Sequence, residues 1–480
     1  MSISRKANRS QQFLLPPSLD ELIPADDPVR FIADLVASLD LETLGFVDPP
    51  REARGQPPFS CELLLSVWLY CYFRRVRSLR QMEAACAERL QLMWLTGMQR
   101  PDHNTLHRFF KGHRAALKKL ARKVTQVAAN AGLVDMVLHA LDGTKLLAAC
   151  STNSALHRKR LLELLKEHGD EAVEEVFAQL EALYKTEHRT GEHLPKNLAD
   201  ASARKAVIET ALAELAAHDT QHLHPKEPEA RVMRGHNEAR LRMDYNAQVV
   251  TDGEFIVAQD VGNGETDHGQ LTPMLDQALE TLGERPELTA VDAGYVSARE
   301  LERAEARHHE IVVPPGSLDA PGQPAEGPFD KAHFVYDADR DVYVCPLGTL
   351  LPFWRLTRSR PEAPELKVYR CTNAQCPERS QCTRNEQHGR TVRHPADRGV
   401  LDRQAAKQAL GTDRRDAYGY RKVLVERVLA LVKWNEGFRR FSVWGMAAAA
   451  AQWSLVCAVF NLKALYRRWI RGEFVMPVAA

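Results

Sequence analysis

Apolar residues recur along this chain with two different periods, and the change from one to the other divides it. From Ser18 to about Gly132 they fall three or four residues apart, the spacing of helices with one buried face. Residues 59–73 form an almost wholly apolar helix, and Pro101-Asp-His-Asn-Thr105 is a turn opening a basic helix over 104–128. Ser18-Leu-Asp-Glu21 has the Ser-x-x-Glu form of a capping box. Beyond Gly132 the runs shorten. Residues 136–141 predict a strand, and 245–251 and 255–261 predict a hairpin about Asp252-Gly253. A helix over 268–282, a strand over 288–292, a helix over 297–306 and a strand over 310–313 follow.

Between the first strand and the hairpin lies a charged helical stretch, 155–217. Leu156, Leu161 and Leu165, then Val173, Val176, Phe177 and Leu180, keep helical spacing, and a loop near 191–195 folds the stretch into a long helical hairpin. The order strand, insertion, hairpin, helix, strand, helix, strand predicts an α/β fold with a mixed sheet, matching an RNase H-like core. Residues 314–328 are rich in Pro and Gly and leave that core, and 330–400 read as irregular. From Tyr418 a long helix runs on, and an apolar helix over 446–466 closes the fold. Four divisions result. They are an all-α N-terminal domain (1–133), the first part of the core (134–313, with its helical insertion at 150–235), a Cys-rich insertion (314–412) and a C-terminal helical part (413–480).

At 480 residues, two to four domains are expected. The composition, 44% hydrophobic and 26% charged, is that of a globular protein. The N-terminal Met-Ser-Ile-Ser-Arg-Lys lacks the apolar centre of a signal peptide, and the run 446–460 is interrupted by Gln452 and Ser454. A cytoplasmic protein is therefore expected. Net charge is only +1, yet residues 74–123 hold 13 Lys and Arg against three acids, and 413–480 hold 12 against five. Such local basic faces suit a protein that grips a polyanion; solvated helix faces are the alternative. The short N-terminal helices likewise read either as a helix-turn-helix DNA reader or as a plain bundle.

Three segments carry candidate chemistry. In Leu141-Asp-Gly-Thr-Lys145 and Val291-Asp-Ala-Gly-Tyr295 an Asp ends an apolar run, the way a buried strand delivers a carboxylate to its open end. Glu426 sits in the late helix, with Lys433 two turns on. Asp142, Asp292 and Glu426 converging on one point cannot all stay ionised without cations, which suggests a divalent-metal site suited to phosphodiester attack. Separately, Cys345, Cys371, Cys376 and Cys382 supply four thiolates, enough for a tetrahedral Zn²⁺, with His388 a conceivable substitute and unligated cysteines the alternative. Cys61, Cys71, Cys86, Cys150 and Cys457 fall in apolar patterns and read as core, as do Trp434, Trp444 and Trp453.

With these motifs the chain resembles the DDE transposases of bacterial insertion sequences, in the branch with a Cys-rich insertion. The resemblance runs from about Arg9 to Leu465 and rests on several short segments. They are Gln12-Phe-Leu-Leu-Pro16, Pro101-Asp-His-Asn-Thr-Leu-His-Arg-Phe109, the two Asp motifs, Asp244-Tyr-Asn-Ala-Gln248, Glu426-x6-Lys433 and Asn461-Leu-Lys463. It implies that Asp142, Asp292 and Glu426 ligate two Mg²⁺ or Mn²⁺ ions. It also implies a homodimer on double-stranded DNA that binds the element's terminal inverted repeats and joins them to target DNA. In the family a Tyr-x2-Arg-x3-Glu-x6-Lys pattern surrounds the helix carboxylate, its basic members contacting phosphates. Counted back from Glu426, Lys422 stands at the Arg position and Gly419, between Tyr418 and Tyr420, at the Tyr position. The expected DNA contacts are Lys422, Lys433 and Arg421, with Arg74, Arg75, Arg108 and Lys111 in the N-terminal domain.

Overall fold

The computed structural model describes residues 18–48, 57–150 and 241–314, most of 327–476, and short stretches between 156 and 234. The chain divides into two compact units, one of Met1–Leu120 with Leu462–Ala480, the other of Ala121–Asn461.

The first unit is helical. Its elements are α1 (Leu19–Leu22), α2 (Pro28–Ala37), α3 (Leu41–Leu44), α4 (Cys61–Phe73), α5 (Leu79–Glu88), α6 (Leu90–Leu95), α7 (His103–Gly112) and the start of α8 (Arg114–Asn130). Ser18 and Glu21 close the expected capping box at 3.2 and 3.3 Å. Helix α4 is buried on nearly every side, from Cys61 through Trp68 to Tyr72, as an all-round apolar helix must be. The single basic helix expected over 104–128 is two. His113 breaks it, because its ring turns back to share a 2.8 Å hydrogen bond with the Phe109 carbonyl and packs against Phe46.

The second unit holds a six-stranded mixed sheet in the order β4-β5-β1-β7-β8, with β6 also on β5. The strands are β1 (Leu138–Leu147), β4 (Arg231–Arg234), β5 (Leu241–Thr251), β6 (Ile256–Gly262), β7 (Leu288–Val291) and β8 (Ile311–Val312). The hairpin of β5 and β6 stands where Asp252-Gly253 placed it. β1 runs well past the expected 136–141, because β5 continues to pair with it as far as Leu147. Asp142 therefore lies inside a strand and not at its end. What ends there is the parallel neighbour: Leu141↔Val291 is the last pair of β1 with β7, so Asp142 and Asp292 are the next residues on two adjacent strands. Of the expected helical insertion, the two-residue strands β2 (Leu156–His157) and β3 (His222–Leu223) pair with each other; most of 150–235 lies outside the described residues.

Residues 330–400, expected to be irregular, instead hold a five-stranded antiparallel sheet in the order β13-β12-β11-β10-β9. Its strands are β9 (Val335–Asp337), β10 (Val342–Val344), β11 (Leu350–Thr357), β12 (Leu366–Arg370) and β13 (Thr391–Pro395). They close on a small core of Phe334, Tyr343, Leu351, Tyr369 and Val392. The strands are short, β11 is mostly exposed and carries an irregularity between Phe353 and Arg355, so hydrophobic alternation is weak there. After the helices Gly399–Ala409 and Thr412–Arg421 the chain makes a π-turn (Lys422–Glu426), an α segment (Arg427–Ala430) and a second π-turn (Leu431–Asn435). The last helix, Met446–Ile470, is long and apolar enough to cross a membrane, but 94% of its apolar window is buried within the protein. Its polar residues are used inside. Asn461 bonds both backbone groups of Ile256 and the Thr125 hydroxyl, and Gln452 bonds Ser442.

Candidate catalytic site

Asp142 and Asp292 are brought together by strand register, and the helix that carries Glu426 packs over the same strand ends. At their meeting point stands Arg421. Its Nη1 donates to Asp142 Oδ2 at 2.8 Å, and its Nη2 lies 3.6 Å from Asp292 Oδ1 and 3.8 Å from Glu426 Oε1. The arginine side chain is only 6% exposed, whereas Asp292 and Glu426 are about half open to solvent. The three expected acids are thus gathered around one buried cation.

The helix geometry explains how Arg421 and Glu426 come to share a face. Five residues apart in an α-helix, they would be rotated by roughly 140° from each other. The π-turn between them takes up one extra residue and returns Glu426 to the face of Arg421. Tyr418-x2-Arg421 has the spacing of the Tyr-x2-Arg pattern, with Glu426 five residues on across the π-turn. Tyr418 interacts with the Arg421 guanidinium, and burial pushes its hydroxyl above the usual range. Lys422, at the Arg position counted back from Glu426, is turned away from the acids. It is exposed on the π-turn.

Electrostatics follow from this arrangement. Burial pushes the Asp142 carboxyl above the ordinary carboxylate range, against the pull of Arg421 and of the Gly143 amide, which donates to Oδ1 at 2.8 Å. Burial also works against the charge of Arg421, but Asp142 and Asp292 outweigh it and hold the guanidinium protonated. The Arg421 Nε is buried without a hydrogen-bond partner among the described residues.

A second polar cluster braces the same strand ends. Asn246 Nδ2 and Gln248 Nε2 donate to Asp267 Oδ1 at 2.8 and 2.7 Å, and Tyr295, two residues past Ala293, donates its hydroxyl to Gln248. Gly143 leaves room for this. A Cβ there would lie 2.6 Å from Asp267 Oδ1. Asn246 and Gln248 were legible as two polar residues of one strand face in an otherwise buried strand, but nothing in the sequence pointed to Asp267 as their partner.

Three carboxylates, two of them solvent-facing, surround one positive charge, that of the Arg421 guanidinium. In this arrangement the guanidinium lies between them, and among the described residues no three His, Cys, Asp or Glu are drawn close enough to ligate a metal. The same holds for the cysteines. Cys345, Cys371, Cys376 and Cys382 are free, half-buried thiols at one end of the β9–β13 sheet. Thr349 N donates to Cys345 Sγ at 3.2 Å, and burial pushes the Cys382 thiol up, the other three acting in the same direction. Their packing gathers them without metal geometry, so the expected zinc has no support here; His388 lies outside the described residues. The remaining five cysteines are buried, as expected.

The expected DNA contacts divide. Arg74 and Arg75 are exposed after α4, and Arg108 and Lys111 are exposed on α7, in one stripe with Asn104 and His107. Lys422 is exposed and Lys433 half-buried. Arg421 is the exception: it is turned inward on the acids, because its charge is their counter-ion. Trp434, expected in the core, is 66% exposed with the Arg439 guanidinium 3.6 Å from its ring centre, while Trp453 is fully buried. On the second sheet, exposed Trp354 has the guanidinium groups of Arg355 and Arg370 4.3 and 5.0 Å from its ring centre. A cavity of about 390 Å³ opens beside it, lined by Phe353, Trp354, Arg370 and Arg379 among others.

Two domain families match the chain. One, described as a transposase domain, covers residues 17–112; the other, described as a transposase DDE domain, covers residues 344–466. The second match takes in Arg421, Glu426 and the four cysteines, and stops short of Asp142 and Asp292. No curated protein and no solved structure matches the chain.

Proposed function

The chain belongs to the DDE transposases of insertion sequences, and from that premise we propose that Asp142, Asp292 and Glu426 form its DNA-cutting and DNA-joining centre. The observation that carries this reading is the convergence of the three acids on Arg421 from two strands and a helix far apart in sequence. Transposases with this domain generally use divalent metals such as Mg²⁺. Bound here, two such ions would sharpen a water or a DNA 3′-hydroxyl as nucleophile and neutralise charge on the departing oxygen.

The residues of this chain supply the positioning. Strand register sets Asp142 beside Asp292, Gly143 leaves room for the Asp267 brace, and the π-turn returns Glu426 to the face of Arg421. Asp292 and Glu426, half open to solvent, face the side from which a phosphodiester would approach. An RNase H-like core accounts for the central strand with one antiparallel and one parallel neighbour. The exposed α7 stripe of Asn104, His107, Arg108 and Lys111 would read the element's terminal inverted repeats, and Lys422 with the Trp354–Arg370 face would hold the DNA backbone. Two protomers would act together, one per end, on DNA in the cytoplasm.

The test is strand transfer. A duplex ending in the element's terminal sequence with a free 3′-hydroxyl, a target plasmid and Mg²⁺ should give covalently joined product. Cleavage of the ends with no joined product would make the protein a nuclease and overturn the transfer step.

A further inference from the structure

Beyond Glu426 the same helical stretch carries an aromatic ring that the three acids do not use. Glu426, Ala430 and Trp434, spaced by four, are all exposed, while Val425, Val428, Leu429 and Val432 around them are buried. In an unbroken α-helix, eight residues would rotate Trp434 roughly 80° away from Glu426. The second π-turn, Leu431–Asn435, winds more slowly and brings the ring back to the Glu426 face. At 1.5 Å per residue the two are at most about 12 Å apart along the axis. Trp434 is 66% exposed, so its large ring forgoes the burial it would gain in the core.

The chain that follows makes the ring part of a site. Gly437 takes a left-handed φ of 68° and reverses the chain, and Phe438 is buried against Phe441 and Trp453. Arg439 is thereby carried back over Trp434. Its guanidinium lies 3.6 Å from the ring centre, and its Nε donates to the Lys433 carbonyl at 3.3 Å. The Arg439 backbone is held as well. Its carbonyl accepts from Leu147 N at 3.1 Å, at the end of the strand that carries Asp142. No carboxylate pairs with this guanidinium among the described residues. Indole and guanidinium are therefore fixed between the two elements that supply Glu426 and Asp142.

We propose that Trp434 and Arg439 clamp one unpaired nucleotide of the DNA strand at the acids: the base stacks on the open face of the indole, and its phosphate pairs with the guanidinium. The inference rests on the reading of Asp142, Asp292 and Glu426 as a DNA-cutting centre. An exposed ring beside a cation suits an unpaired base, because a paired base hides its faces within the duplex stack. At 3.4 Å per stacked step, about 12 Å places the clamp roughly three or four nucleotides from the acids.

The experiment measures fluorescence anisotropy of two labelled duplexes with the full-length protein in chelator, across a salt series. One duplex is blunt and the other ends in a short unpaired tail. The wild type should bind the tailed duplex more tightly. Trp434→Ala should weaken binding of the tailed duplex about tenfold and leave the blunt one nearly unchanged, which also shows that the variant is folded. Trp434→Phe keeps an aromatic face and should retain most of the preference. Arg439→Gln should weaken the tailed duplex too, and lower its slope of log affinity against log salt by about 0.7. A tail preference that Trp434→Ala leaves intact, or no preference in the wild type, overturns the clamp while the DNA reading stands. A wild type that binds neither duplex overturns both. Loss of a dimer in Trp434→Ala, seen by light scattering with the tail preference unchanged, assigns the ring to a second copy of the chain and also overturns the proposal.

Discussion

Arg421 and Asp142 stand 279 residues apart in sequence, yet Nη1 of the one donates to Oδ2 of the other at 2.8 Å, almost out of contact with water. Removing one partner of a buried pair leaves the other charge uncompensated, which typically costs about 3–5 kcal/mol. Here Asp292 and Glu426 remain as partial partners, so Asp142→Asn is expected to destabilise the protein by about 3 kcal/mol. Asp292→Asn and Glu426→Gln, half exposed, are expected to cost under about 1 kcal/mol. All three should abolish Mg²⁺-dependent cleavage. Chemical denaturation beside a cleavage assay checks the split. Equal stability losses at the three positions would contradict it.

Gly143 should accept no side chain. A Cβ there would run into Asp267 and Gln248, so Gly143→Ala is expected to destabilise by about 1–3 kcal/mol and to slow cleavage through the displaced Asp142. Gly112, at the end of α7 with nothing within 4 Å of a Cβ, is the control. Gly112→Ala should be neutral or stabilising by up to about 1 kcal/mol. Thermal unfolding of the two variants decides the matter.

DNA binding should depend on the two exposed basic faces in different ways. Arg108→Ala and Lys111→Ala should each weaken binding to the element's ends and lower the slope of log affinity against log salt by about 1. Trp354→Ala should weaken binding while leaving that slope nearly unchanged, since it removes stacking and no charge. Fluorescence anisotropy across a salt series distinguishes the two.

Acid should loosen the second sheet through Asp341. Hydrogen bonds from Tyr336 and Tyr369, and then Lys367, hold its carboxyl down to about 2, below its ordinary 3.8. A lowered carboxylate contributes stability that is fully present above the unfolded value and is lost as pH falls through the folded one. The wild type is therefore expected to lose stability between about pH 4 and 2, and Asp341→Asn to show a flatter profile there. Near-ultraviolet circular dichroism, which sees the Tyr336, Tyr343 and Tyr369 cluster, is the readout.

Much of the core was legible because its signals are local and periodic. Asp252-Gly253 announced the hairpin, and two apolar runs announced the strands that carry Asp142 and Asp292. The misses have physical causes. β1 was read too short because an interior Asp looks like a strand end until its antiparallel partner is known. The β9–β13 sheet escaped because β11 is exposed along most of its length, so hydrophobic alternation had little to show. The π-turn has no periodic signature of its own, and without it Arg421 falls on the wrong face and looks like a phosphate contact. Trp434 was assigned to the core by its type, but it is largely exposed, with the Arg439 guanidinium over its ring.

The most direct test of the central claim is cleavage of a supercoiled plasmid that carries the element's ends, with Mg²⁺, by the wild type and by Asp292→Ala. The account predicts cuts at the ends by the wild type that vanish in the variant and in chelator. Tight binding to the ends with negligible cleavage by both proteins would contradict it, leaving a DNA-binding protein that does not cut.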